Sequence, residues 1–136
     1  MKLLLSYMFI VISLIVGVVI GSLVNMGILM LGQELIPLTD GMDPLNAKNW
    51  ELKYFLFPFF AHAIGTIAGS FITVKMVTSH KMYCGIGIGI WFLLGGVMMV
   101  SIMPAPIWFI ILDLTVSYIP MGWLGWFIAK RSQSND

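Results

Sequence analysis

The chain has 136 residues, of which 60% are apolar and only 10% charged, with a formal net charge of +1 and a mean hydropathy of +0.99. That balance is an integral membrane protein's, with room for about four spans of roughly twenty residues each and none for a separate soluble domain. No basic run is long enough to track a polyanion, which excludes nucleic acid as a partner, and the single cysteine, Cys84, excludes an intrachain disulfide.

The first apolar run extends from Leu3 to Leu31. It starts like a signal peptide, but it runs about twice as far as a typical h-region and lacks an A-x-A cleavage pattern, so it reads as an uncleaved, tilted first span. Gly17, Gly21 and Asn25 recur on it at four-residue steps. The GxxxG spacing of Gly17 and Gly21 predicts close packing against another helix of the same chain. Residues 33–53 are the one substantial polar segment and form the external loop, with turns at Pro37 and at Asp40-Gly41. Asp43-Pro44 has the N-cap and N1 chemistry of a helix start, so Leu45 to Leu52 is expected to lie along the interface as a short helix or ordered linker. Trp50 and Tyr54 are expected at headgroup level.

The second span, residues 54–77, is apolar enough to cross a bilayer yet contains His62. His62, Gly65, Thr66, Gly69 and Thr73 fall on one helical face, predicted to meet other helices. Phe60, Ile64, Ile67, Phe71 and Val74 fall on the opposite face, predicted to meet lipid. Pro58 stands close enough to the helix start to be tolerated. After a tight polar connection from Thr78 to Lys81, the third span covers residues 82–103. Gly85, Gly89 and Gly96 share a face there, whereas Gly87 and Gly95 lie elsewhere around the helix; Cys84 reads as a small packing residue. The GIGIG string is not a phosphate loop, because no strand precedes it and no βαβ context surrounds it. Pro104-Ala105-Pro106 turns the chain into the fourth span, residues 107–129. Pro120 lies within it, removes an amide donor and leaves the Val116 carbonyl outside the usual ladder, so a kink is expected.

The expected fold is therefore an all-α bundle of four transmembrane helices. Lys2, Lys75, Lys81, Lys130 and Arg131 gather at one end, whereas Lys48 and Lys53 stand at the other among Glu34, Asp40, Asp43 and Glu51. The positive-inside rule then places both termini in the cytoplasm.

At 1.5 Å per residue, Asn25 lies about 10 Å inside span one, His62 about 12 Å inside span two and Asp113 about 10 Å inside span four, all measured from the outer ends. The three share one level and form a candidate intramembrane polar site, with Ser101 placed to cap it. An ionised aspartate near the bilayer centre costs about 2.5 to 3.5 kcal/mol, and an interhelical hydrogen bond returns about 0.6. Asp113 must then be protonated, paired with a protonated His62, or reached by water. Two readings follow: a cluster that fixes helix register, or a proton-linked or polar-ligand site.

Other chemistry is thinner. His62 and His80 lie roughly 27 Å apart along the chain's helical path, too far to share a haem iron. Met98, Met99 and Met103 with His62 permit a soft-metal idea, but methionine is ordinary filling in apolar spans, and no metal or cofactor is assigned. No Ser-His-Asp order, paired zinc ligands or cysteine nucleophile stands out.

The segments Phe57 to Gly69 (FPFFAHAIGTIAG), Ser79 to Met82 (SHKM), Met103 to Phe109 (MPAPIWF) and Tyr118 to Gly125 (YIPMGWLG) resemble a family of short bacterial membrane proteins of uncharacterised function. The resemblance covers roughly the last two thirds of the chain. It implies a protein of the bacterial cytoplasmic membrane and carries over no activity, cofactor or catalytic residue. The expected function is that of a non-enzymatic membrane component, an accessory subunit or self-associating bundle, partnered by the lipid bilayer and by another membrane protein or a second copy. The alternatives are a small proton-coupled transporter or channel using His62, Asp113 and Asn25, and a lipid- or quinone-directed enzyme with His62 and Asp113 as acid and base.

Overall fold

The computed structural model describes residues 1–134, and within them the chain is all helix and turn. Helix α1 spans Lys2–Leu35, α2 Leu56–Met76, α3 Lys81–Ile102, α4 Ile107–Val116 and α5 Ile119–Ser134. With α4 and α5 taken as one interrupted rod, four helices are long and apolar enough to cross a membrane. Helix α2 is central: it packs on α1, α3 and α5, and α3 packs on α5.

Helix α1, at 34 residues, is longer than the predicted span at both ends. It is apolar all round and buries only Ser13, Gly17, Gly21 and Gly32. The four-residue ladder therefore starts one step earlier than the glycines alone indicate, at Ser13, and all its rungs face α2. A Cβ on Gly17 would lie 2.7 Å from the Gly69 carbonyl oxygen, and one on Gly21 would lie 2.7 Å from that of Gly65. These small residues let the two backbones touch.

On α2, Gly65, Thr66, Gly69 and Thr73 are buried, and Phe60 and Ile64 are exposed. Val74 departs from its predicted lipid face, being fully buried with Val77 and Ile88. The cause is the central position of α2: with neighbours on three sides, its covered arc is wider than one stripe, and Ile67 and Phe71 are half-buried as well. The connection to α3 turns at His80, whose φ of 53° is left-handed, a conformation histidine adopts more readily than β-branched residues.

Of the two forms expected for Leu45 to Leu52, a short helix and an ordered linker, the linker is the one that forms. Asp43 Oδ1 accepts from the Leu45 amide at 2.8 Å and Asn46 Oδ1 from the Lys48 amide at 3.2 Å, so side chains satisfy the backbone locally. Only single 3₁₀ turns result, at Ala47–Asn49 and Leu52–Phe55. The loop instead folds over the end of the bundle. The Ala47 amide donates to the Pro104 carbonyl at 2.9 Å, and Ala47, Phe55 and Phe109 form a buried cluster flanked by Trp50, Phe59 and Ala105. Tyr54, expected at headgroup level, is buried here, and Trp50 is half-buried against Phe55.

Candidate functional site

One interruption in the last rod builds the site. Because Pro120 has no amide to donate, the helical ladder breaks at Ser117 and Tyr118, between α4 and α5, and resumes with the Gly122 amide donating to the Tyr118 carbonyl at 2.7 Å. Asp113 stands one turn before the break, on the face of α4 toward α2, and is 5% exposed. Tyr118 stands at the break itself and is 3% exposed.

His62 of α2 meets both. Its Nδ1 lies 2.9 Å from each carboxyl oxygen of Asp113. The Tyr118 hydroxyl donates to Asp113 Oδ2 at 3.0 Å, and the Tyr118 ring stacks on the imidazole with centroids 5.7 Å apart. Helix α3 makes room for this ring with glycines: a Cβ on Gly96 would lie 2.6 Å from the Tyr118 hydroxyl oxygen, and one on Gly89 would lie 2.7 Å from its carbonyl oxygen. Gly85, on the same face one turn away, fits against Gly122, Ser70 and Trp126 of the neighbouring helices.

Of the residues singled out by depth, the structure brings His62 and Asp113 together and leaves Asn25 apart. Asn25 is half-buried; its backbone and Cβ lie against Gly65, and among the described residues no hydrogen bond joins it to either partner. Ser101 is exposed at the end of α3 and makes no hydrogen bond to the pair among the described residues. Equal depth leaves rotation about the helix axis undetermined, and rotation turns Asn25 toward the α1–α2 seam. Tyr118 is the residue that sequence reasoning missed. Its signal was local: an aromatic hydroxyl two residues before a mid-span proline, facing a glycine-lined strip of α3.

The trio presents one member to open space. Between the loop and the upper ends of the helices lies a cavity of about 300 Å³, lined by His62 but not by Asp113 or Tyr118. Its walls are mainly apolar and aromatic, with Trp50, Phe57 and Phe109 among them, and its polar side chains beside His62 include Gln33 and Lys53. Met99 and Met103 line it too, Met99 from an exposed position, whereas Met98 is exposed away from it. Among the described residues no three His, Cys, Asp or Glu side chains gather as metal ligands.

The hydrogen bonds constrain where protons sit. The buried Tyr118 hydroxyl has Asp113 as its one hydrogen-bond partner among the described residues, so it donates there. If the His62–Asp113 pair carries no net charge, as an apolar setting favours, the remaining proton is shared between Nδ1 and the carboxyl group, and Nε2 carries the other. Nε2 is then an N–H donor whether the pair is written as an ion pair or as imidazole and carboxylic acid. Protein-family models, curated proteins and solved structures give no match to the chain.

Proposed function

We propose that this chain is a multi-pass, non-enzymatic component of the bacterial cytoplasmic membrane, with both termini on the cytoplasmic side. Its working part is the His62–Asp113–Tyr118 trio, in which His62 meets the polar group of a small ligand admitted from the outer side and the other two hold His62. The observation that carries this reading is the double engagement of one imidazole, whose Nδ1 is held by Asp113 while the ring lines a cavity. A cluster that only fixes helix register needs no member facing open space. The cavity wall has no carboxylate, thiol, serine or threonine among the described residues, which supports binding over catalysis. Toward the termini the helices meet backbone to backbone at Gly17, Gly69 and Gly122, which supports binding over translocation.

Orientation draws on the cations: Lys75 Nζ donates to Ser132 at 2.9 Å and Lys81 Nζ to Gln133 at 2.7 Å, at the same end as Lys130 and Arg131. The bilayer is the constant partner, and another membrane protein or a second copy is the partner an accessory subunit of this size serves.

A reporter fused after Asp136, which lies outside the described residues, is expected in the cytoplasm, and one inserted near Gly41 outside; both on one side would reject the topology. Mass spectrometry of the natively extracted protein should find a stoichiometric small molecule that Asp113→Asn loses. Ligand-dependent proton flux in liposomes would instead establish the transporter reading.

A further inference from the structure

Resting on that binding reading, we propose that the cavity takes a neutral, carbonyl-bearing ring with an apolar tail, a quinone-type amphiphile, and that its carbonyl oxygen accepts a hydrogen bond from His62 Nε2. Three observations select this class. The first is donor polarity: Nδ1 of the cavity-lining His62 is held by Asp113, and the Tyr118 hydroxyl is committed to the same carboxyl group, which in a neutral pair leaves Nε2 as an N–H donor. Lys53, also in the wall, is donor-only and the Gln33 amide can donate as well as accept, so an acceptor is the ligand group that suits all three polar side chains.

The second is charge. Lys53 Nζ has Glu51 beside it at 3.0 Å, on the exposed side of the wall, and His62 has Asp113 at 2.9 Å, so each cation of the wall already has a carboxylate partner. A carboxylate or phosphate ligand would have to compete with those carboxylates and leave water to do so, and a neutral carbonyl would not. The third is shape. Trp50, Tyr54, Phe57 and Phe109 make the wall largely aromatic, and about 300 Å³ accommodates a substituted ring with the start of a tail rather than a phospholipid. The proposal concerns binding alone and includes no electron transfer.

The test uses the full chain in nanodiscs, with a benzoquinone carrying a decyl tail as the probe. Decylbenzene, which lacks the acceptor, and decanoate, which adds charge, serve as controls. Saturable binding of one quinone per chain is expected, at least tenfold tighter than either control. His62→Ala should weaken it at least tenfold. Met99→Trp narrows the cavity from an exposed wall position on α3 and leaves the three residues of the trio unchanged; it should weaken binding as much while the melting curve stays in place. The ¹⁵N resonance of His62 Nε2 should report a protonated nitrogen that shifts when the quinone binds.

Decanoate binding as tightly as the quinone would overturn the neutral class, and decylbenzene doing so would remove His62 from recognition. Absence of saturable quinone binding would also overturn the proposal. If a native extract still yields a stoichiometric molecule lost with Asp113→Asn, only the ligand class has failed; if it yields none, the binding reading fails as well.

Discussion

Toward the termini, the helices of this bundle touch through glycine, serine and threonine, with Thr73 Oγ1 donating to the Ser13 carbonyl at 3.2 Å and Ser70 Oγ to the Gly122 carbonyl at 2.6 Å. Toward the loop, the same helices are spaced by rings. Gly32 of α1 faces the side chain of Phe57, and Phe55 packs at a tilt on Phe109 with centroids 4.6 Å apart. Surrounded by lipid, helices gain little from burying apolar surface, so close approach needs small residues, and space is made by replacing them with large ones. The half that is locked by backbone contact supports the half that holds a cavity and its polar trio.

The largest expected effect breaks the locked half. A Cβ on Gly69 would lie 2.7 Å from the Gly17 carbonyl oxygen, a backbone atom that cannot rotate away. Gly69→Leu should therefore cost about 3 kcal/mol or more, while Phe71→Leu, half-buried on the same helix, should cost less than about 1 kcal/mol. Thermal unfolding in detergent compares the two, and similar losses would mean that backbone contact does not hold this seam.

Next comes the polar trio. Removing one partner of a fully buried ion pair costs about 3 to 5 kcal/mol, but the His62 side chain is 24% exposed and either partner can change its proton, so Asp113→Asn should cost about 2 kcal/mol. Combining it with His62→Ala should cost less than the sum of the two single changes. Strict additivity in that cycle would show that the 2.9 Å contact carries no coupling energy.

The two halves were not equally legible in the sequence. The all-α class and four apolar helices followed from composition and length, because a bilayer dictates both. The locked half repeats its residues at helical spacing, so Gly17, Gly21, Gly65 and Gly69 lie along one periodic stripe; Val74 escaped because periodicity does not report how many neighbours a helix has. The loop half depends on contacts between distant segments. Ala47 with Pro104 and Tyr118 with Asp113 leave no periodic trace, and depth counting, which is blind to rotation, placed Asn25 and Ser101 in a group they do not join.

Tyr118→Phe sharpens the comparison inside the site. The ring still stacks on His62 and still fills the space that Gly96 leaves, so only the hydrogen bond to Asp113 is lost. A loss of about 1 kcal/mol is expected, since the other partner keeps the carboxyl group satisfied. Unfolding measured beside Asp113→Asn should rank the two in that order, and a larger loss for Tyr118→Phe would make the phenol, rather than the imidazole, the main support of Asp113.

The smallest effect has the opposite sign and tests whether glycine acts by position or by type. Gly87 lies two residues from both Gly85 and Gly89, and Gly95 is next to Gly96, yet a Cβ on Gly87 or Gly95 meets nothing within 4 Å. Both are interior positions of a helix, where glycine is weaker than alanine by about 0.5 to 1 kcal/mol because it loses more backbone freedom on ordering. Gly87→Ala and Gly95→Ala should therefore raise the melting temperature slightly, on the same helix where a Cβ at Gly89 runs into the Tyr118 carbonyl. A loss of stability at Gly87 or Gly95 would mean that this face of α3 is covered by something outside the chain, which would point to a packed partner, a second copy or another membrane protein, rather than lipid on that side.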